Sequence, residues 1–224
     1  MTGTNEFKIM LSHYIKYLYY KEVQKTARFK YINQYGAIFI HIPKAAGTSV
    51  YMSLFGTIGG GHVTAENYKK IYGPNKFKAY YKFTFVRNPF DRLLSAYNYL
   101  NKGGMSSDDQ NYYNKYISQY TSFEDFVING LAKNKNIQKG LHFLPQYKFL
   151  TIGDKISQIY IGRFENIEKD FKYIANTLGI DKELKRLNSS NRQQDDYRSF
   201  YTEKSKKIVE QIYKKDLELF NYTF

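Results

Sequence analysis

The chain has 224 residues and a formal net charge of +14, from 34 Lys and Arg against 20 Asp and Glu. That length suits one α/β domain, and 42% hydrophobic with 24% charged residues is ordinary for a soluble globular protein. Cysteine is absent, which excludes disulfides, thiolate catalysis and Cys-based zinc sites.

The positive charge invites a nucleic-acid partner, but only seven of the basic residues are Arg. A Lys-, Asn-, Tyr- and Ile-rich chain is equally the product of A/T-rich coding. No nucleic-acid-binding signature occurs, so no nucleic-acid partner is expected. No run of eighteen apolar residues exists, so no transmembrane segment is expected. Met1 to Lys8 contains Glu6 and no apolar stretch, unlike a signal peptide. These features predict a cytoplasmic protein, with peripheral membrane association as a variant of that location.

In chain order, Phe7, Met10, Leu11, Tyr14, Ile15, Leu18 and Tyr19 recur at helical spacing within residues 7–35. Lysines occupy the other face. The pattern reads as an amphipathic helix packed on the domain in preference to a membrane-surface helix. Residues 1–36 are taken as this helical segment, and 37–224 as the main domain. Ala37–Ile42 reads as the first strand, and its helix runs from about Thr48 to Leu54. Gly59, Gly60 and Gly61 make a flexible loop. Thr64 caps a second helix that ends near Gly73-Pro74. Tyr80–Val86 is a buried strand, and Pro89 starts the helix carrying Leu93, Leu94, Tyr97 and Leu100. Residues 102–110 read as a loop. Ser122 with Asp125 is a capping box for a helix ending at Gly130. Residues 131–150 have no clear pattern. Gln158–Arg163 is a strand, Glu165 opens a helix closed by Gly179, 188–199 is a loop, and a last helix runs from Thr202 to about Phe220. This alternation predicts a mainly parallel central sheet flanked by helices, with a ligand beyond the strand C-termini.

Phe39-Ile-His41-Ile-Pro-Lys44-Ala-Ala46-Gly47-Thr48-Ser49 is a strand, a tight loop and a helix start. The first N–H groups of a helix lack intrahelical partners and carry the positive end of the dipole, so they suit a phosphate. Lys44, Thr48 and Ser49 add donors. The loop is not a Walker A, because Lys44 precedes Gly47 instead of standing beside the hydroxyl residue. In the second motif, Phe83-Thr-Phe-Val-Arg87-Asn-Pro-Phe-Asp-Arg92-Leu-Leu-Ser95-Ala-Tyr97, Arg87 ends a strand and Ser95 lies two turns into the next helix. A guanidinium and a hydroxyl converging there could hold a second phosphate.

The two motifs, in this order, resemble the sulfotransferase family that uses 3′-phosphoadenosine 5′-phosphosulfate (PAPS), and its carbohydrate branch (sulfotransferase family 2) in particular. That resemblance implies a single α/β domain with a P-loop-like phosphosulfate loop. It implies that Lys44, Ala46, Gly47, Thr48 and Ser49 hold the 5′-phosphosulfate, and that Arg87 and Ser95 hold the 3′-phosphate. Ala45 stands where the branch usually has Thr. Arg192, in Asn188-Ser-Ser-Asn-Arg192, would cover the same 3′-phosphate or be a solvated loop residue. The later segments Gly162–Ile167 and Ile208–Tyr222 resemble the family too, so the likeness spans about residues 37–222.

Sulfuryl transfer needs a cation at the leaving phosphate, which suits Lys44, and a base poised near neutrality, which suits His. Of the four histidines, His13 lies on the amphipathic helix and His41 in the first strand. His62 lies on the loop between the phosphate motifs, in Gly60-Gly-His62-Val-Thr64, which looks like the segment that supplies the base in carbohydrate sulfotransferases. His62 is therefore assigned as general base and Lys44 as catalytic cation. His142 resembles a residue near the acceptor site and is equally a packed loop histidine. The expected partner is a carbohydrate acceptor, for which an acidic glycan suits the charge, and no metal is expected. The rival functions are a P-loop-type kinase, which lacks its Mg²⁺ carboxylate here, and a basic polyanion- or RNA-binding protein.

Overall fold

The computed structural model describes residues 15, 18–26, 29–57, 59, 61–185, 187 and 196–224. Helix α1 (Lys30–Tyr35) ends at Gly36, which adopts φ 57° and turns the chain into β1 (Ala37–Ile40). Helix α2 (Gly47–Phe55) follows, then α3 (Ala65–Ala79), β2 (Tyr81–Val86) and α4 (Pro89–Asn101). After α5 (Ser107–Tyr116), the short α6 (Phe123–Asp125) continues as a π-helical turn over Phe126–Leu131. Two one-turn helices, α7 (Lys135–Gln138) and α8 (Tyr147–Leu150), precede a small hairpin of β3 (Thr151–Ile152) and β4 (Lys155–Ile156). Strand β5 (Tyr160–Arg163), α9 (Ile167–Thr177), α10 (Glu203–Ile212) and α11 (Lys214–Phe220) complete the chain.

The central sheet has the order β1-β2-β5 and is parallel throughout, with Ala37 opposite Tyr81 and Phe83 opposite Tyr160. All four residues of β1 and five of the six in β2 are buried. Such continuous burial is what a sheet covered on both faces requires. Phe29 and Ile32 join this core from the α1 side. A second apolar cluster unites Leu93, Leu94, Phe126, Phe143, Val209 and Tyr213, and anchors α4 to the π-turn and α10.

Several elements differ from the sequence-based expectation. Ser107–Tyr116 is a helix where a loop was predicted over 102–110: the Ser106 hydroxyl caps Asp109 N–H at 3.1 Å, a Ser-x-x-Asp start. In α3 the first helical stretch does end at Gly73, at φ 75°, as expected, but Pro74 starts a further helical stretch to Ala79 that the sequence reading left out. The last helix is two, broken at Tyr213. Of the N-terminal apolar stripe, Phe7, Met10, Leu11 and Tyr14 lie outside the described residues. Ile15, Leu18 and Tyr19, expected to pack on the domain, are exposed, while Val23 packs against the core.

Candidate active site

The parallel sheet aims the C-terminal ends of β1, β2 and β5 at one edge of the molecule, and the candidate site forms there. Beyond β1 the chain makes a sharp turn in which two non-glycine residues take left-handed conformations, Lys44 at φ 67° and Ala46 at φ 61°. Ala46 is the N-cap of α2, and the first intrahelical bond runs from Val50 N–H to Ala46 C=O at 3.1 Å. The N–H groups of Gly47, Thr48 and Ser49 therefore precede the helix ladder and have no acceptor within it. Gly47 is fixed by contact. A Cβ there would stand 1.8 Å from Cδ2 and 2.0 Å from Nε2 of His41. The Ser49 hydroxyl is engaged elsewhere: it donates to Leu187 C=O at 3.0 Å and accepts from Leu187 N–H at 3.1 Å, which ties the segment after α9 down onto α2. Thr48 is half-buried in the first turn.

Arg87 follows β2, only 8% exposed. Its Nε and Nη2 both lie 2.7 Å from Asp91 Oδ2, its plane lies 4.1 Å from the Phe164 ring centroid, and Nη1 donates to the Lys44 carbonyl at 3.1 Å. The last bond joins the two sequence motifs directly. The backbone of Arg87 is clamped by Gln146, which accepts from its N–H at 3.0 Å and donates to its C=O at 2.8 Å. Gln146 is held in turn by the buried Asp216, whose carboxylate accepts from the N–H groups of Gln146 (2.7 Å) and Tyr147 (2.9 Å). Ser95 stands half-buried on α4, two turns into the helix. Arg192 lies outside the described residues. Arg92 is wholly buried and donates to the carbonyls of His142 and Leu144 at 3.2 and 2.8 Å, so it shapes the loop that carries His142.

Three histidines, one lysine and one carboxylate meet beside this turn. His62 Nδ1 lies 2.9 Å from the His41 carbonyl, and the two rings are 4.3 Å apart. A carbonyl only accepts, so Nδ1 of the neutral His62 ring carries the proton and Nε2 the lone pair. The His142 ring is 6.4 Å from that of His62. His142 Nε2 lies 2.9 Å from Asp109 Oδ1, and Tyr99 donates its hydroxyl to Asp109 Oδ2 at 2.7 Å. The Lys44 ammonium sits 3.9 Å over the centre of the Tyr99 ring. Burial first, then the Arg87 charge, lowers the Lys44 ammonium to about 8, against partial compensation from Asp109. Burial, with His62 and Lys44 nearby, pushes His41 down to about 3, so it is neutral. Burial also lowers His142, against the opposing pull of Asp109. For Asp109, burial acts upward, yet bonds from Tyr99, Met105 N–H and His142 hold it at about 2.

Lys44, Arg87, His62 and His142 are thus gathered by the fold. Sequence reasoning missed Asp109, Tyr99, Gln146 and Asp216. Only Asp109 had a legible signal, the Ser106-x-x-Asp109 cap. The other three act through tertiary contacts that no spacing encodes. Glu165, read as a structural acid, accepts from Asn88 N–H at 2.8 Å and from the Tyr222 hydroxyl at 2.7 Å. No cluster of three or more His, Cys, Asp or Glu side chains suited to a metal ion occurs among the described residues. Nor is any helix among them long and apolar enough to cross a membrane.

The site is thus a parallel α/β domain's strand–turn–helix loop carrying Lys44, with Arg87 from the next strand end brought against it. A family model described as "Sulfotransferase family" matches residues 27–223, and the chain belongs to that family. It is 26% identical over 181 residues to human carbohydrate sulfotransferase 9, covering 69% of this chain and 40% of that protein. To carbohydrate sulfotransferase 11 of Rattus norvegicus it is 27% identical over 173 residues, covering 66% and 49%. An uncharacterized protein of Archaeoglobus fulgidus is 31% identical over 128 residues, covering 56% of this chain and 89% of that protein. The chain therefore spans less than half the length of these two carbohydrate sulfotransferases. No solved structure matches.

Proposed function

We propose that this protein transfers a sulfuryl group from PAPS to a hydroxyl of a carbohydrate. The observation that carries this reading is the 3.1 Å bond from Arg87 to the carbonyl of Lys44. It unites two cationic groups from adjacent strand ends into one cradle, which suits a nucleotide bearing phosphate at two separate positions. The donor supplies an activated sulfuryl group on a 5′-phosphate. The turn around Lys44 and the first N–H groups of α2 hold that phosphate, and Arg87, with Ser95 on α4, holds the 3′-phosphate. His62 Nε2 takes the proton of the acceptor hydroxyl as its oxygen bonds to sulfur. The electron pair of the breaking S–O bond goes to the 5′-phosphate oxygen, where the Lys44 ammonium stabilises the growing charge. The products are a sulfate ester and 3′,5′-ADP. The carbohydrate acceptor is supported by what the two named relatives are called, and the positive surface suits an acidic glycan.

Incubation with ³⁵S-labelled PAPS and a panel of neutral and acidic oligosaccharides tests the proposal. Label transfer to at least one glycan is expected. Absence of both transfer and 3′,5′-ADP binding refutes it. A kinase would instead be stabilised by ATP, and a general polyanion binder would lose every ligand alike as salt rises.

A further inference from the structure

Asp109 has no role in the proposed reaction, yet its carboxylate makes three hydrogen bonds beside the site. Its Oδ2 accepts from the Tyr99 hydroxyl at 2.7 Å and from Met105 N–H at 3.1 Å, and its Oδ1 lies 2.9 Å from His142 Nε2. The chain is shaped to permit this. Gly104 takes φ 66°, and a Cβ on it would come within 2.3 Å of Asp109. Tyr99 in turn presents its ring face to the Lys44 ammonium at 3.9 Å, and the Tyr99 and His142 rings lie 5.1 Å apart. One carboxylate therefore braces an aromatic platform under the donor-side lysine and orients the histidine beside it.

We infer that Asp109 is a positioning residue that locks Lys44 and His142 into one frame, acting on Lys44 through the Tyr99 ring and on His142 directly. A lysine is a point charge on a flexible stem, and holding it over one spot requires something to fix its head. A phenol that donates its proton to a carboxylate has a more electron-rich ring face, which attracts the ammonium more strongly. The same carboxylate accepts a hydrogen bond from the Nε2–H of neutral His142. This puts the ring's lone pair on Nδ1, which is buried and has no hydrogen-bond partner among the described residues. The charged and titratable groups that face Lys44 are Arg87 after β2, His41 after β1, Asp109 on α5, His142 on the loop before α8 and Tyr99 on α4. Asp109 is the one among them whose charge favours the protonated lysine.

The inference rests on the proposed sulfuryl transfer for what Lys44 does, but the frame can be tested without turnover. Lys44 is titrated by NMR on ¹³C-methylated protein, in wild type, Asp109→Asn, Tyr99→Phe and the exposed control Asp108→Asn. Wild-type Lys44 is expected to titrate near 8, and Asp109→Asn should move it lower while Asp108→Asn leaves it in place. With active enzyme, Asp109→Asn should lower kcat by about 10²-fold, the scale of an ångström-sized misplacement. Its 3′,5′-ADP affinity should fall far less than kcat, because Arg87 and the α2 N–H groups remain, and the alkaline limb of the pH–rate profile should shift to lower pH. Tyr99→Phe keeps the ring and loses the bond, so it should lower kcat by a smaller factor, and it gives the same decision if Asp109→Asn does not fold. An unmoved Lys44 titration together with unchanged kcat in both variants overturns the inference. Failure of wild type to transfer sulfuryl overturns the function and leaves the Lys44 titration to decide the frame.

Discussion

The turn that carries Lys44 depends on the absence of one methyl group, at Gly47. An alanine there would place its Cβ 1.8 to 2.7 Å from three atoms of the His41 ring. Ordinary carbon contacts are about 3.5 to 4 Å, so the ring or the start of α2 must retreat by roughly 1.5 Å. His41 cannot yield freely. It is 8% exposed, stacked 5.5 Å from Phe39 and packed 4.3 Å from His62, whose Nδ1 it binds through its own carbonyl. Overpacking of this kind costs about 1–3 kcal/mol. For a chain of this size that lowers Tm by roughly 2–12 °C. A distortion of the same size passed to the anion site weakens 3′,5′-ADP by roughly 5- to 150-fold. Differential scanning fluorimetry and calorimetric titration of Gly47→Ala measure both. The companion is His41→Ala with Gly47→Ala, which removes the obstructing ring. The cycle should show a favourable coupling of about 1–3 kcal/mol. A Gly47→Ala protein that melts and binds like wild type, or strictly additive costs in the double variant, refutes the steric reasoning.

His62→Ala should reduce kcat by about 10²–10⁴-fold, the usual worth of a positioned base, while calorimetry finds 3′,5′-ADP affinity intact. Arg87→Ala leaves the buried Asp91 without its cation and should cost about 3–5 kcal/mol of stability in denaturant melts. Arg87→Ala with Asp91→Ala should recover much of that stability but none of the lost 3′,5′-ADP affinity. Asp109 is held at about 2, below the ordinary carboxylate value of 3.8. Its contribution to stability is therefore present above about pH 4 and is lost as pH falls toward 2. The Tm difference between wild type and Asp109→Asn should accordingly be largest near neutrality and shrink on acidification below pH 4. A constant difference across that range would contradict the assignment.

The mainly parallel sheet was legible because Ala37–Ile40 is wholly apolar and Tyr81–Val86 is mostly aromatic and β-branched, with helices between and after them that carry local start signals. Pro89 at the first turn of α4 and Thr64 before α3 are such signals, and both stand where the sequence put them. The turn at Lys44 was legible as a tight strand-to-helix turn, but its two left-handed residues were not, since neither Lys44 nor Ala46 is glycine. That strain is sustained by the packing around it. Ser49 shows the opposite limit. Its place in the motif suggested a phosphate donor, and its hydroxyl is occupied by the backbone of Leu187, 138 residues away in sequence. The clamps on Arg87 and His142 from Gln146, Asp216 and Arg92 are likewise long-range bonds between buried polar groups. No periodicity or cap announces them, because burial of those groups is decided only when the α4 and α11 faces close on the loop between Lys139 and Tyr147.

In the proposed function, the ends of β1 and β2 form one cradle for a nucleotide phosphorylated at both its 3′ and 5′ positions. Calorimetric titration at a single fixed ionic strength, with 3′,5′-ADP, adenosine 5′-phosphate and ATP as ligands, tests it most directly. 3′,5′-ADP should bind tightest, and Arg87→Ala should reduce its affinity to that of adenosine 5′-phosphate. Binding that follows ligand charge alone, with ATP tightest and Arg87→Ala weakening all three equally, would contradict it.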